Sequence, residues 1–131
     1  MFEAIRDMKI LLVDDDESIR DSLSMFFTSE GIHIDTLETA EEGLEAVKDR
    51  HYDIIISDHR LPGMDGLTFL RHIRDLSPSS FKVLITAYGG YDMLITAAEV
   101  GVNEYIEKPF STRLIKKALS KLMERNAAKP A

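Results

Sequence analysis

A parallel α/β fold, one β-sheet covered by helices on both faces, is predicted by three observations on this 131-residue sequence. Five short apolar runs recur along the chain, and segments of helical period lie between them. Three of the runs are almost uninterrupted, as in strands buried on both faces. Strands that alternate with helices pair in parallel, because right-handed crossovers carry each helix over the sheet.

The first strand is Lys9–Val13, whose ILLV core is continuous. Ile19, Leu23, Phe26 and Phe27 then follow i, i+4, i+7, i+8, a helical stripe that Asp16 can cap and Gly31 can end. Ile32–Thr36 is more mixed and suits a strand near a sheet edge. Thr39 caps a second helix with Ala40, Leu44 and Val47 on its buried face, and Asp53–Ser57 (DIIIS) is the third strand. Leu61-Pro62-Gly63 is a turn signal, after which Phe69, Ile73 and Leu76 restore helical spacing. Pro78 and its serines mark a loop before the fourth strand, Lys82–Ile85. Met93, Leu94 and Ile95 make the fourth helix apolar on more than one side, and Gly101 stops it. Glu104–Glu107 is the fifth, mixed strand. Ser111 caps a last helix carrying Leu114, Ile115, Ala118, Leu119 and Leu122. The expected domain is 1–125, with 126–131 a flexible tail or the start of a linker.

Composition narrows the function. Hydrophobic residues make up 44% and charged residues 30%, the balance of a folded globular domain. Cysteine is absent, which excludes disulfides, zinc-thiolate sites and thiol nucleophiles. No apolar run approaches the ~20 residues that span a bilayer, and MFEAIRDMKI is not a signal peptide, so a cytoplasmic protein with no membrane partner is expected. The net charge is −7, unevenly spread: residues 1–65 hold 17 acids and 6 bases, residues 66–131 hold 6 acids and 10 bases. An acidic total argues against direct nucleic-acid binding.

Four of the five strand ends carry a reactive side chain. Asp14 and Asp15 follow the first strand, Asp58 the third, Thr86 the fourth and Lys108 the fifth. In a parallel sheet these ends share one edge, where open α/β folds bind ligands. Each residue alone has an ordinary explanation: capping for the aspartates, strand propensity for Thr86, snorkelling for Lys108. The set favours phosphoryl transfer to a carboxylate. Acidic oxygens without His or Cys suit Mg2+, a carboxylate can become an aspartyl phosphate, and an ammonium and a hydroxyl can offset phosphoryl charge.

These motifs, ILLVDDD (10–16), SDHRLPGMDGL (57–67), ITAYG (85–89) and KPF (108–110), resemble the receiver domains of two-component response regulators over about the first 125 residues. The resemblance implies a flavodoxin-like, three-layer α/β/α fold with five parallel strands in the order 2-1-3-4-5. It implies that Asp58 is the phosphoacceptor, that Asp15 ligates Mg2+ directly and Asp14 mainly through water, and that the backbone carbonyl of Arg60 is a further metal ligand. Thr86 would bond the phosphoryl group, Lys108 would pair with it, and Tyr105 would turn toward the space Thr86 vacates, remodelling the helix 4–strand 5–helix 5 surface. Lys108-Pro109 resembles a cis peptide of the family. Arg60 and Tyr88, both bulky, occupy positions that tune phosphoryl lifetime in the family and are expected to shield the acyl phosphate from water.

The implied partners are a sensor histidine kinase or phosphotransfer protein, and a downstream effector or an output domain of the same protein. A homodimer through helix 4–strand 5–helix 5 is also compatible. The motif details are similar to receivers that precede AAA+ transcription activators, so the chain reads as a stand-alone receiver or part of a longer regulator. Beyond self-catalysed phosphorylation and dephosphorylation, no enzyme activity is expected. A haloacid-dehalogenase-type phosphatase would need an acidic cluster after Lys108, where Glu124 is the only acid. A phosphorylation-independent adaptor fits poorly with five intact site residues, and no helix pairs a recognition face with a DNA-binding turn. The histidines at 33, 51, 59 and 72 show no metal-ligand spacing, and His59 reads as a solvent-facing loop residue. Arg113, Lys116, Lys117, Lys121 and Arg125 read as a solvated face of the last helix.

Overall fold

The structure is a computed structural model that describes residues 5–87 and 89–128, with side chains described as far as Arg125. Tyr88 and residues 129–131 lie outside the described residues. The chain runs β1 (Lys9–Val13), α1 (Glu17–Ser29), β2 (His33–Leu37), α2 (Ala40–Asp49), β3 (Ile54–Asp58), α3 (Gly66–Leu76), β4 (Phe81–Thr86), α4 (Tyr91–Val100), β5 (Glu104–Glu107) and α5 (Thr112–Ala128). All strands are parallel, in the order β2-β1-β3-β4-β5. The expected fold class and strand order are therefore observed, and the two mixed strands are the sheet edges.

The continuous apolar strands follow from strand alternation, which sends successive side chains to opposite faces. Ile10, Leu12, Ile54, Ile56, Val83 and Ile85 face Leu23 and Phe27 of α1 and Ile115, Leu119 and Leu122 of α5. Leu11, Val13, Ile55 and Leu84 face Ala40 of α2, Phe69, Leu70 and Ile73 of α3, and Ala97 and Val100 of α4. Each strand thus serves two cores.

Caps define where the helices start. Asp16 accepts from the Ser18 amide, Thr39 and Glu42 form a reciprocal capping box, and Ser111 Oγ accepts from the Leu114 amide. Three strands, β2, β3 and β4, have limits that differ from the pattern-based expectation, and hydrogen bonding explains the ends that matter for the site. Gly31 adopts φ +76° after α1, and the Ile32 amide bonds back to the Phe27 carbonyl at 2.9 Å. Ile32 therefore completes the helix cap, and β2 begins at His33. On β3 and β4 the ladder outlasts the apolar run: the His59 amide bonds to Ile85 O and the Lys108 amide to Thr86 O, both at 2.8 Å. Asp58 and Thr86 are consequently the last residues of their strands, held by the sheet itself. Asp53, in turn, precedes β3, and its carboxylate accepts the Lys9 amide.

Candidate functional site

The carboxyl ends of β1, β3, β4 and β5 converge, and β1 and β3 are neighbours where the winding of the sheet reverses. Asp14 is fully buried just past β1. Its amide bonds to Leu37 O at 3.0 Å, its carbonyl accepts from Arg20 Nη1 at 2.8 Å, and its Oδ1 accepts from the Asp16 amide at 2.9 Å. Its Oδ2 is buried with no hydrogen-bond partner among the described residues. Asp15 is exposed at the rim. Asp58, 5% exposed, receives Lys108 Nζ on Oδ1 at 2.9 Å. Lys108 stands on the turn after β5 and is joined to Pro109 by a cis peptide, as the resemblance implies. Carboxylate oxygens of Asp14, Asp15 and Asp58 all lie within 4.8 Å of one another.

Burial and crowding set the electrostatics. Burial pushes the Asp14 carboxyl up to about 6; the Asp16 amide and Lys108 pull it down, while Asp58 and Asp15 add to the rise. Burial also raises Asp58, against the lowering effect of its Lys108 partner. For Lys108, burial opposes the ammonium, but the Asp58 bond and the charges of Asp14, Asp58 and Asp16 prevail and hold it above its ordinary value. Three carboxylates against one ammonium leave an anionic hollow. An all-oxygen donor set with one buried, unpartnered carboxylate oxygen fits a hard divalent cation.

Thr86 is buried at the adjacent strand end, and its Oγ1 lies 3.4 Å from His59 Nδ1. His59 is thus half-buried beside the site and does not simply face solvent. Alternation places Asp14, Asp58 and Lys108 in phase with the α1/α5 face, and Thr86 in phase with Leu84 on the α3/α4 face. Tyr105 packs against the α3/α4-side core, and its hydroxyl is bound by Glu107. Arg60 is exposed on the loop after β3.

That loop is tightly held. Glu41 of α2 accepts the Met64 amide at 3.1 Å, Asp65 caps α3 through the Thr68 amide at 2.8 Å, and the Gly66 amide bonds to His59 O at 2.8 Å. A methyl at Gly66 would overlap the Asp58 carbonyl oxygen, which is backbone and cannot give way. Gly66→Ala is expected to lower stability by about 2 kcal/mol or more, read as a lower urea midpoint; an unchanged midpoint would contradict this packing. Pattern reading missed Asp65 and Gly66, although an Asp-Gly pair three residues before Phe69 carried the signal. It also missed Glu107, which is two positions from Tyr105 and therefore on the same side of β5.

Fold and site together define a doubly wound α/β domain with an acidic, lysine-paired centre at its strand tips. The sequence pattern of the response regulator receiver domain matches residues 10–120, and the chain belongs to that family. It is 34% identical over 124 residues to the DNA-binding transcriptional regulator NtrC of Klebsiella pneumoniae, a match covering 92% of this chain and 26% of that protein. The chain therefore spans about a quarter of the length of that relative. A CheY-like response regulator receiver domain protein from Methanospirillum hungatei JF-1 superposes with a TM-score of 0.84 at 31% identity, covering 93% of this chain and 98% of that one. The beryllofluoride-activated NtrC4 receiver domain dimer gives 0.82 at 35% identity, covering 89% and 97%. The chain is thus a receiver of the two-component phosphorelay type. No helix among the described residues is long and apolar enough to cross a membrane.

Proposed function

We propose that Asp58 accepts a phosphoryl group from the phosphohistidine of a sensor kinase or phosphotransfer protein. The observation that carries this reading is the contact of buried Asp58 with half-buried Lys108 at 2.9 Å, with Asp14 and Asp15 beside it. An Asp58 oxygen forms the new O–P bond as the N–P bond breaks, and the leaving imidazole keeps its electron pair. Lys108 shifts from the carboxylate to the incoming phosphoryl oxygens, and the Thr86 hydroxyl donates to another. Asp14, Asp15, Asp58 and the Arg60 carbonyl would hold Mg2+. When bound, the cation offsets the charge of the carboxylates and the phosphoryl oxygens.

Phosphorylation biases an existing two-state equilibrium in which Thr86 and Tyr105 move together, changing the α4–β5–α5 surface. That surface exposes Tyr91, Leu94 and Ile95 of α4 and Leu114 of α5, which suits an effector, an output domain or a second receiver. Residues 1–125 act as the receiver unit; the protein works in the cytoplasm, and nucleic-acid contact is left to an output partner. The test is incubation with Mg2+ and acetyl phosphate, which should add one phosphoryl mass, and with beryllofluoride, which should shift the amide NMR spectrum. No response to either would overturn the reading.

Arg60 and Tyr88 are expected to shield the acyl phosphate. Arg60→Ala and Tyr88→Ala should each speed hydrolysis of the phosphorylated chain about threefold or more, a barrier lower by at least about 0.7 kcal/mol. Unchanged decay of the radiolabelled protein in both variants would remove the shielding role.

A further inference from the structure

Tyr105, Glu107, Gly89 and Gly90 form a contact set outside the acidic centre. The Tyr105 ring packs half-buried against the α3/α4-side core, and its hydroxyl donates to Glu107 Oε1 at 3.1 Å. The Gly90 backbone amide meets the same hydroxyl. Gly89 fills what space is left: a methyl there would overlap both the Tyr105 hydroxyl and the Glu107 carboxyl group. Gly89 therefore answers to close approach. Gly90 is also the N-cap of α4, which has no side-chain cap. A single phenol thus joins the end of β5 to the start of α4.

We infer that Glu107 is a positioning residue for the switch: by binding the Tyr105 hydroxyl it holds the ring in its resting orientation and opposes the turn toward Thr86. The inference rests on the proposed function in one respect, that Thr86 and Tyr105 form the switch pair. Burial keeps the Tyr105 phenol above its ordinary pKa, and the Glu107 bond and charge act in the same direction against the Gly90 amide. The hydroxyl consequently stays protonated and remains a donor. A bond to a carboxylate is stronger than one between neutral groups, while exposure of Glu107 weakens it. The expected bias is modest, about two- to fivefold in the switching equilibrium.

Glu107→Ala removes the acceptor, Glu107→Gln keeps an acceptor oxygen without the charge, and Gly89→Ala displaces the pair sterically with the charge intact. Three-bond couplings report the Tyr105 χ1 rotamer in the unphosphorylated chain. They should indicate one rotamer in the wild type and Glu107→Gln, and averaging in Glu107→Ala and Gly89→Ala. With Mg2+ present, Glu107→Ala should bind beryllofluoride about two- to fivefold more tightly than the wild type, and Glu107→Gln by a smaller factor than Glu107→Ala. In a Tyr105→Phe background, Glu107→Ala should add nothing. Unaveraged couplings in Glu107→Ala would overturn the inference. So would equal tightening by Glu107→Gln, or a Glu107→Ala effect that survives in Tyr105→Phe, either of which would mean that Glu107 acts only through its charge near Lys108. If the wild type does not bind beryllofluoride, the phosphoacceptor reading fails, and the couplings still decide whether Glu107 holds Tyr105.

Discussion

Asp58→Asn is expected to abolish phosphorylation by acetyl phosphate and by a histidine-kinase donor, leaving a chain whose mass does not change. The amide matches the carboxylate in shape and can keep a contact with Lys108, so the β3–β4 ladder that fixes residue 58 should survive. It has no anionic oxygen to attack phosphorus. Asp14 and Asp15 are the nearest substitutes, but Asp14 has one oxygen committed to the Asp16 amide and lies fully buried, and Asp15 sits at the rim. Lys108 is paired with Asp58. Any residual labelling should therefore be slower by orders of magnitude. Intact-mass measurement decides it: wild-type labelling of Asp58→Asn would reassign the acceptor. A circular dichroism spectrum matching the wild type excludes misfolding as the reason for silence.

Asp14→Asn is expected to stabilise the metal-free chain at pH 7 while weakening its response to Mg2+. The folded carboxyl is raised to about 6 from 3.8. Below the unfolded value both states are protonated and Asp14 has no effect. As pH rises between the two values, the unfolded chain releases its proton and the folded chain keeps it, so stability falls. The loss is complete once pH passes the folded value and amounts to about 3 kcal/mol. The neutral amide escapes this loss and can still accept the Asp16 amide. The urea midpoint of Asp14→Asn should exceed that of the wild type at pH 7, and the two should converge near pH 4. MgCl2 should raise the wild-type midpoint and raise that of the variant by less. A pH-independent gap, or a variant less stable at pH 7, would refute the electrostatic account.

The periodic features of the fold were legible in the sequence because they recur. Continuous apolar runs marked the central strands, and Asp16, Thr39, Ser111 and Gly101 marked helix ends through chemistry that depends on few neighbours. Strand limits were less legible where the polar ladder continued past the apolar run, as at Asp58 and Thr86. The convergence of Asp14, Asp15, Asp58 and Lys108 followed from all strand ends sharing an edge. That Lys108 selects Asp58, and that Asp14 keeps an unpartnered oxygen, depended on burial and side-chain reach. The same limit hid His59, whose ring meets Thr86 across neighbouring strands, and the cations of α5. Arg125 binds Glu104 and Lys116 binds Glu30, so that face is partly tied to the fold.

Strand alternation at the sheet edge has an evolutionary consequence. Asp14, Asp58 and Lys108 fall in phase with the α1/α5 side, Thr86 and Tyr105 with the α3/α4 side. If the proposed roles hold, the sheet is a partition with chemistry on one side and read-out on the other, joined at its rim by a threonine and a tyrosine. Substitutions in the α1/α5-side core can then accumulate without disturbing the α3/α4-side core, and the reverse. Input and output can diverge separately, so one small domain can be rewired at either end.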